Sequence, residues 1–231
     1  MEQRKFEAQA GEETLSIKIL GNAMKPSFVF LHGAGIGKKE RIETISESLV
    51  SVGVSVLSFD FSGQGESSGK ISESSLSKRV DEAYAVITKH ADLNNLTICG
   101  ASMGCYVAIK LTEKLDVRNL ILFYPSIYTT SAFNLKFDQS FTQAIRSSES
   151  WRNSDAYDLL AKFKGKLMVV AAERDEVVPK EIIELIDKSS VFCKHKEVMI
   201  IPDSPHILLK WIQDKSELKR KISDKILKLI N

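Results

Sequence analysis

Two hydrophobic patterns alternate along this chain. Residues 27–31 (SFVFL), 54–59 (VSVLSF), 95–99 (NLTIC), 119–123 (NLILF), 166–171 (KLMVVA) and 197–201 (EVMII) are short, mostly apolar runs that stop at turn-forming residues. Continuous runs of this kind predict strands covered on both faces, as in a parallel sheet sandwiched by helices. Residues 14–20 alternate instead, the pattern of a half-buried strand. Between the runs lie helical periodicities. Over residues 40–52, Ile42, Ile45, Leu49 and Val52 form one stripe, and over 73–90 Leu76, Val80, Tyr84 and Ile87 form another. Residues 103–115, 179–188 and 207–230 read as further helices, with Pro179 suited to a first helical position because its missing N–H costs nothing there. Regular alternation of β and α predicts a doubly wound, mostly parallel sheet flanked by helices in one α/β domain spanning 1–231. Residues 126–164 break the rhythm, and a connection that long predicts a cap or lid.

Composition narrows the picture. The chain has 231 residues, 32 basic against 30 acidic, for a net charge of +2. That balance excludes a dedicated nucleic-acid surface, which needs a basic excess on one face. The clusters Lys38, Lys39, Arg41 and Lys219, Arg220, Lys221 are read as solvated helix faces. The polar start MEQRKFEAQAGEE lacks a signal-peptide pattern, and no apolar run approaches the roughly 18 residues of a membrane span. Cys99, Cys105 and Cys193 lie in apolar segments and are expected to be buried free thiols, placing the protein in the cytoplasm.

The strongest chemical signal is Gly100-Ala101-Ser102-Met103-Gly104, which closes the strand NLTIC and opens a helix. A sharp strand-to-helix turn crowds its flanks, so residues without Cβ are required two places either side of the serine. Ser102 is the candidate nucleophile. His32-Gly33-Ala34-Gly35 follows SFVFL as a glycine-rich turn able to present backbone amides, and the candidate oxyanion hole is the N–H groups of Ala34 and Met103. The candidate acid is Asp175, in Glu173-Arg174-Asp175-Glu176-Val177-Val178-Pro179 after KLMVVA, with Glu173 and Glu176 as rivals. Of four histidines, His90 ends a helix, His195 precedes the last strand among lysines and His32 sits on the glycine turn. Position and elimination leave His206, between the last strand and the last helix, as the candidate base. No Cys/His set has metal-ligand spacing, so neither a metal nor another cofactor is expected.

Together these segments resemble the α/β-hydrolase fold, and within it the monoglyceride lipase-like and serine aminopeptidase-like (carboxylesterase) group. HGAG, GASMG, RDEVVP and His206 match in order, and residues 60–69 (DFSGQGESSG) resemble the D-x-x-G-x-G-x-S-x-G loop of that group. The likeness covers about residues 14–215. It implies an eight-stranded sheet with a short cap insertion and a serine hydrolase acting on a small carboxylic ester. Thioesterase, acyltransferase or peptidase chemistry would use the same residues, and a non-catalytic binding module would use none of them. In the cap, Tyr128, Phe133, Phe137 and Trp151 are the candidate substrate-binding residues, with Phe141 and Tyr157 beside them; packing the cap onto the sheet is their competing role. Asp138, Glu149, Asp155 and Asp158 are the acidic groups a peptidase could use for a substrate amine. The expected partner is a small-molecule acyl ester, with no nucleic acid, no stable membrane insertion, and a monomer or homodimer.

Overall fold

The computed structural model describes residues 2–231. Its strands are β1 (Gln3–Ala10), β2 (Glu13–Leu20), β3 (Phe28–Leu31), β4 (Val56–Phe59), β5 (Thr97–Ala101), β6 (Asn119–Phe123), β7 (Lys166–Ala172) and β8 (His195–Ile201). They form one eight-stranded sheet in the order β1-β2-β4-β3-β5-β6-β7-β8. β1 and β2 pair antiparallel, as do β2 and β4, and every later pairing is parallel. Five of the apolar runs are the interior strands β3 to β7, and the doubly wound architecture is as expected; the sixth, EVMII, lies in the edge strand β8, where Ile200 is 59% exposed, so cover on both faces is not met there. β1 is the strand that hydrophobic reading misses. It lies at the sheet edge with alternate residues in solvent, so its sequence is polar.

Helices cover both faces. α1 (Glu43–Val50), α7 (Leu208–Trp211) and α8 (Ser216–Ile230) pack on the side reached by Phe28, Phe30, Ile121 and Met168. α2 (Leu76–His90), α3 (Met103–Leu111), α5 (Ala156–Lys162) and α6 (Lys180–Ser189) cover the side reached by Val29, Leu31, Leu120 and Leu122. Successive side chains of one strand thus enter different cores, and each fully buried Leu, Ile or Phe contributes about 1.5–3 kcal/mol. Every residue of α3 is buried, which is why its sequence is apolar but for Lys110, whose ammonium meets Asp155.

Several local expectations need correction. Val52 lies beyond the end of α1 and is 60% exposed, and Tyr84 is 41% exposed. The buried positions of α2 are Leu76, Arg79, Val80, Glu82, Ala83, Val86 and Ile87, a broader face than the stripe read from sequence and one that leaves Tyr84 outside. Pro179 caps α6 from outside, and residues 207–230 divide into α7 and α8. Lys39 is fully buried, not solvated: its ammonium lies 2.6 Å from both Asp60 Oδ2 and Glu66 Oε2. Arg220 and Lys221 are exposed as expected. The three cysteines are free, with Cys99 and Cys105 buried and Cys193 half-buried. Among the described residues, no helix is long and apolar enough to cross a membrane.

Candidate active site

Topology selects the place. From β3 the chain crosses to β4 on one side, whereas β5 pairs with β3 on the other. The loops leaving the carboxyl ends of β3 and β5 therefore diverge, and open α/β sheets bind ligands at such a switch point. The glycine loop 32–37 leaves β3 there and Ser102 leaves β5. They touch: a Cβ built on Gly33 would stand 3.0 Å from Ser102 Cβ and 3.6 Å from its Oγ.

Ser102 has φ 52° and ψ −118°, a region that non-glycine residues enter only under strain of about 1–3 kcal/mol. The surroundings hold it. Its N–H donates to Phe123 O at 3.0 Å, and its carbonyl accepts from Cys105 N at 2.9 Å and Ser126 N at 3.3 Å. The flanking glycines are needed for room, since a Cβ on Gly100 would lie 2.5 Å from Gly104 O.

The structure brings Ser102, His206 and Asp175 into one hydrogen-bonded line. His206 Nε2 is 2.9 Å from Ser102 Oγ, and His206 Nδ1 is 2.8 Å from Asp175 Oδ2. A carboxylate against Nδ1 makes that nitrogen the donor and leaves Nε2 free to accept from the serine hydroxyl. The other Asp175 oxygen, Oδ1, accepts from Val177 N at 2.9 Å and Val178 N at 2.8 Å, which orients the carboxylate. Glu173 turns the other way and accepts from Asp203 N at 2.8 Å, while Glu176 is exposed. Arg174 N donates to Ser204 O at 2.9 Å, and the Arg174 side chain pairs with Asp203. The loops after β7 and β8 are therefore stapled together, keeping Asp175 and His206 in register.

Met103 is the first residue of α3, so its N–H belongs to the turn that has no intrahelical acceptor. Ala34 follows Gly33 and is exposed. His32 is fully buried, with Nδ1 donating to Gly33 O at 2.7 Å and Nε2 accepting from Phe61 N at 3.1 Å. Burial, with Arg79 nearby, pushes its pKa down to about 3, so the imidazole is neutral and ties two loops together.

Residues 126–164, the segment expected to form a cap, hold α4 (Gln139–Arg146) and α5, and α5 packs on the sheet through Ala156 and Leu160. Tyr128 and Phe133 pack against Tyr106 with ring centroids 5.6 and 6.4 Å away, Phe137 against Phe141 at 4.8 Å, and Trp151 beneath the Arg152 guanidinium. These contacts anchor the segment to α3 and to itself, the competing role for these aromatics. Three of the four cap acids are engaged as well. Asp155 meets Lys110 at 2.8 Å, Glu149 pairs with Arg152, and Asp138 caps α4 through Ser140 N at 2.8 Å.

Two neighbours of the line escaped the sequence reading. Ser126 Oγ lies 3.1 Å from Ser102 Oγ, and the Tyr124 ring meets the His206 ring at 5.1 Å and 72°. Tyr124 also has a positive φ of 40°, a second strained residue beside Ser102. Their only sequence signal was position, just past the carboxyl end of β6. A cavity of about 190 Å³ opens beside Asp175 and Tyr124. A larger one of about 720 Å³ lies at the opposite, amino edge of the sheet near Arg118 and Lys194, away from this chemistry.

Residues 22–153 match the sequence profile of the family described as Serine aminopeptidase, S33. The chain belongs to this family of α/β hydrolases. The matched span holds the glycine loop and Ser102 and ends before Asp175 and His206. Among relatives of this S33 family member, Lysophosphatidylserine lipase ABHD12 of Danio rerio is 28% identical over 222 residues, covering 86% of this chain and 57% of that protein. Alpha/beta hydrolase domain-containing protein 17B of Xenopus laevis is 23% identical over 156 residues, covering 67% and 51% respectively. The chain thus spans little more than half the length of these relatives. Est1E from Butyrivibrio proteoclasticus, solved with ferulic acid bound, superposes with a TM-score of 0.71 at 18% identity, covering 97% of this chain and 99% of that one. The Pyrococcus furiosus esterase Pf2001 gives 0.72 at 19%, covering 100% and 93%. At such identities these structures establish the α/β-hydrolase fold.

Proposed function

We propose that this protein is a serine hydrolase that cleaves a small carboxylic ester, with short to medium acyl or aryl groups, through an acyl-enzyme on Ser102. The observation that carries the reading is the unbroken line from Ser102 Oγ through His206 to Asp175, with both contacts at 2.9 Å or less. In the first half-reaction, His206 Nε2 takes the hydroxyl proton as Ser102 Oγ attacks the ester carbonyl. Asp175 holds the imidazole in its tautomer and stabilises the imidazolium. The Ala34 and Met103 amides receive the oxyanion, and His206 then gives its proton to the leaving alkoxide oxygen as the C–O bond breaks. Water repeats the sequence on the acyl-enzyme, releasing the acid and free Ser102.

Tyr128, Phe133, Phe137 and Trp151 border the acyl group in this reading, while the cavity beside Asp175 is lined by Tyr124, Val178 and Ile183 and by none of these four. Engagement of Asp155, Glu149 and Asp138 within the cap favours an ester over a peptide whose amino terminus needs a free carboxylate. Free Cys99, Cys105 and Cys193 support a reducing compartment such as the cytoplasm. The test is labelling of the purified protein by a fluorophosphonate, with Ser102→Ala as control, together with p-nitrophenyl esters of increasing acyl length. Labelling that vanishes in the variant, and turnover that falls as chains lengthen, are expected. An unlabelled wild-type protein overturns the reading in favour of a binding module.

A further inference from the structure

The glycine loop is gripped by one side chain that the reaction itself does not use. Gln64 is 5% exposed, and its Nε2 lies 2.8 Å from Gly35 O, 3.1 Å from Gly37 O and 3.4 Å from Gly33 O. Three carbonyls from alternate residues of one loop thus converge on a single NH₂ group. The loop is curled enough to allow it: Gly37 N donates to Ala34 O at 3.1 Å, and a Cβ on Gly37 would lie 2.3 Å from Gly33 O.

The amide can face only one way. Its Oε1 accepts from Arg79 Nη2, and a guanidinium has donors and no acceptor, so the oxygen must turn to Arg79 and the NH₂ to the loop. Arg79 is itself fully buried, its guanidinium 4.9 Å from the ring centroids of both Phe61 and Phe137. Among the described residues its Nε and Nη1 meet no acceptor, so Gln64 Oε1 is the hydrogen-bond partner on which the buried guanidinium depends.

The consequence reaches the oxyanion hole through peptide geometry. In a planar trans peptide the C=O of one residue and the N–H of the next point in opposite directions. Gly33 O is drawn toward Gln64 and His32, so the N–H of Ala34, in the same peptide plane, is turned away from them. Gly33 is also the residue that touches Ser102.

We infer that Gln64 is a positioning residue whose side-chain amide, oriented by Arg79, pins the carbonyls of the glycine loop and so holds the Ala34 N–H in place for the oxyanion formed at Ser102. This rests on the acyl-transfer reading above. Gln64→Glu separates the two ends of the clamp. At pH 8 a carboxylate keeps and strengthens the contact with Arg79 but has nothing to donate to the three carbonyls. Gln64→Met, of similar length with neither function, is the second variant.

For both variants kcat is expected to fall roughly 10- to 100-fold, with KM within about threefold. Affinity for a trifluoromethyl ketone, which forms a tetrahedral oxyanion on the serine, should fall in parallel with kcat/KM, while affinity for the product carboxylate holds. Hydrogen exchange of the amides of residues 33–37 should quicken even where thermal unfolding stays near that of the wild type. Variants that keep kcat within twofold and leave that exchange unchanged overturn the inference. A wild-type protein that no fluorophosphonate labels overturns the acyl-transfer reading instead, and the exchange rates still decide whether Gln64 holds the loop.

Discussion

Gly104 lies so close to the end of β3 that a Cβ on it would stand 2.2 Å from the carbonyl oxygen of Leu31. This contact seats the start of α3 against the strand that carries the glycine loop, and so sets the distance between that loop and Ser102. Gly104→Ala must push α3 off β3, an overpacking cost of about 1–3 kcal/mol, and should abolish fluorophosphonate labelling. Gly11→Ala supplies the contrast. Gly11 has φ +61° with nothing within 4 Å of its built Cβ, so alanine there costs about 1–2 kcal/mol of backbone strain and leaves labelling intact. Equal labelling of the two variants would show that the contact does not set the site.

Ser102 stores strain that glycine would release. Because its φ of 52° is easy only for glycine, Ser102→Gly should raise stability by about 1–2 kcal/mol in urea denaturation while removing all labelling. Ser102→Ala keeps the Cβ and should gain far less. If glycine stabilises no more than alanine does, the strained backbone carries no energetic weight.

Acid should weaken the fold through His32. Its pKa is about 3 in the folded protein against 6.5 for a free side chain, so between these values the unfolded chain binds the extra proton. The stability tied to neutral His32 is complete above pH 6.5 and is lost as pH falls toward 3, at up to about 1.4 kcal/mol per unit. His32→Asn should start lower at pH 7 and show a shallower slope between pH 6 and 4. Parallel stability curves for the two proteins would rule this out.

The buried Lys39–Asp60 pair makes an asymmetric prediction. Removing one partner leaves the other charge buried, so Lys39→Met should cost about 3–5 kcal/mol. Asp60 Oδ1 also accepts from Lys39 N at 2.8 Å and Oδ2 from Glu66 N at 3.0 Å, so Asp60→Asn removes the charge while keeping an acceptor for one of these two N–H groups. The double variant should be more stable than Lys39→Met alone in chemical denaturation. A Lys39→Met protein within 1 kcal/mol of wild type would mean that Asp60 is compensated by other groups.

Fold and site were unequally legible in the sequence. Central strands announce themselves because burial on both faces leaves only apolar residues, as in NLILF, whereas the edge strand Gln3–Ala10 keeps alternate residues in solvent and reads as a polar tail. The glycines around Ser102 were legible because steric demand at a tight turn admits no other residue. Asp175 could be placed on its loop, but its neighbours Glu173 and Glu176 were equal in kind. Only Glu173's bond to Asp203 N, and Asp175's to His206, tell them apart.

Local chemistry is written residue by residue: hydrophobic period, turn glycines and the order Ser102, Asp175, His206 follow from covalent and steric rules that act over a few positions. Contacts between distant segments follow from no such rule. That Lys39 is buried rather than solvated, that Ser126 meets Ser102, and that Gln64 reaches three carbonyls 27 to 31 residues away depended on how the sheet stacks its loops. A polar side chain gains its partner only after the apolar strands have chosen their neighbours, and that choice is made by the packing of the whole sheet.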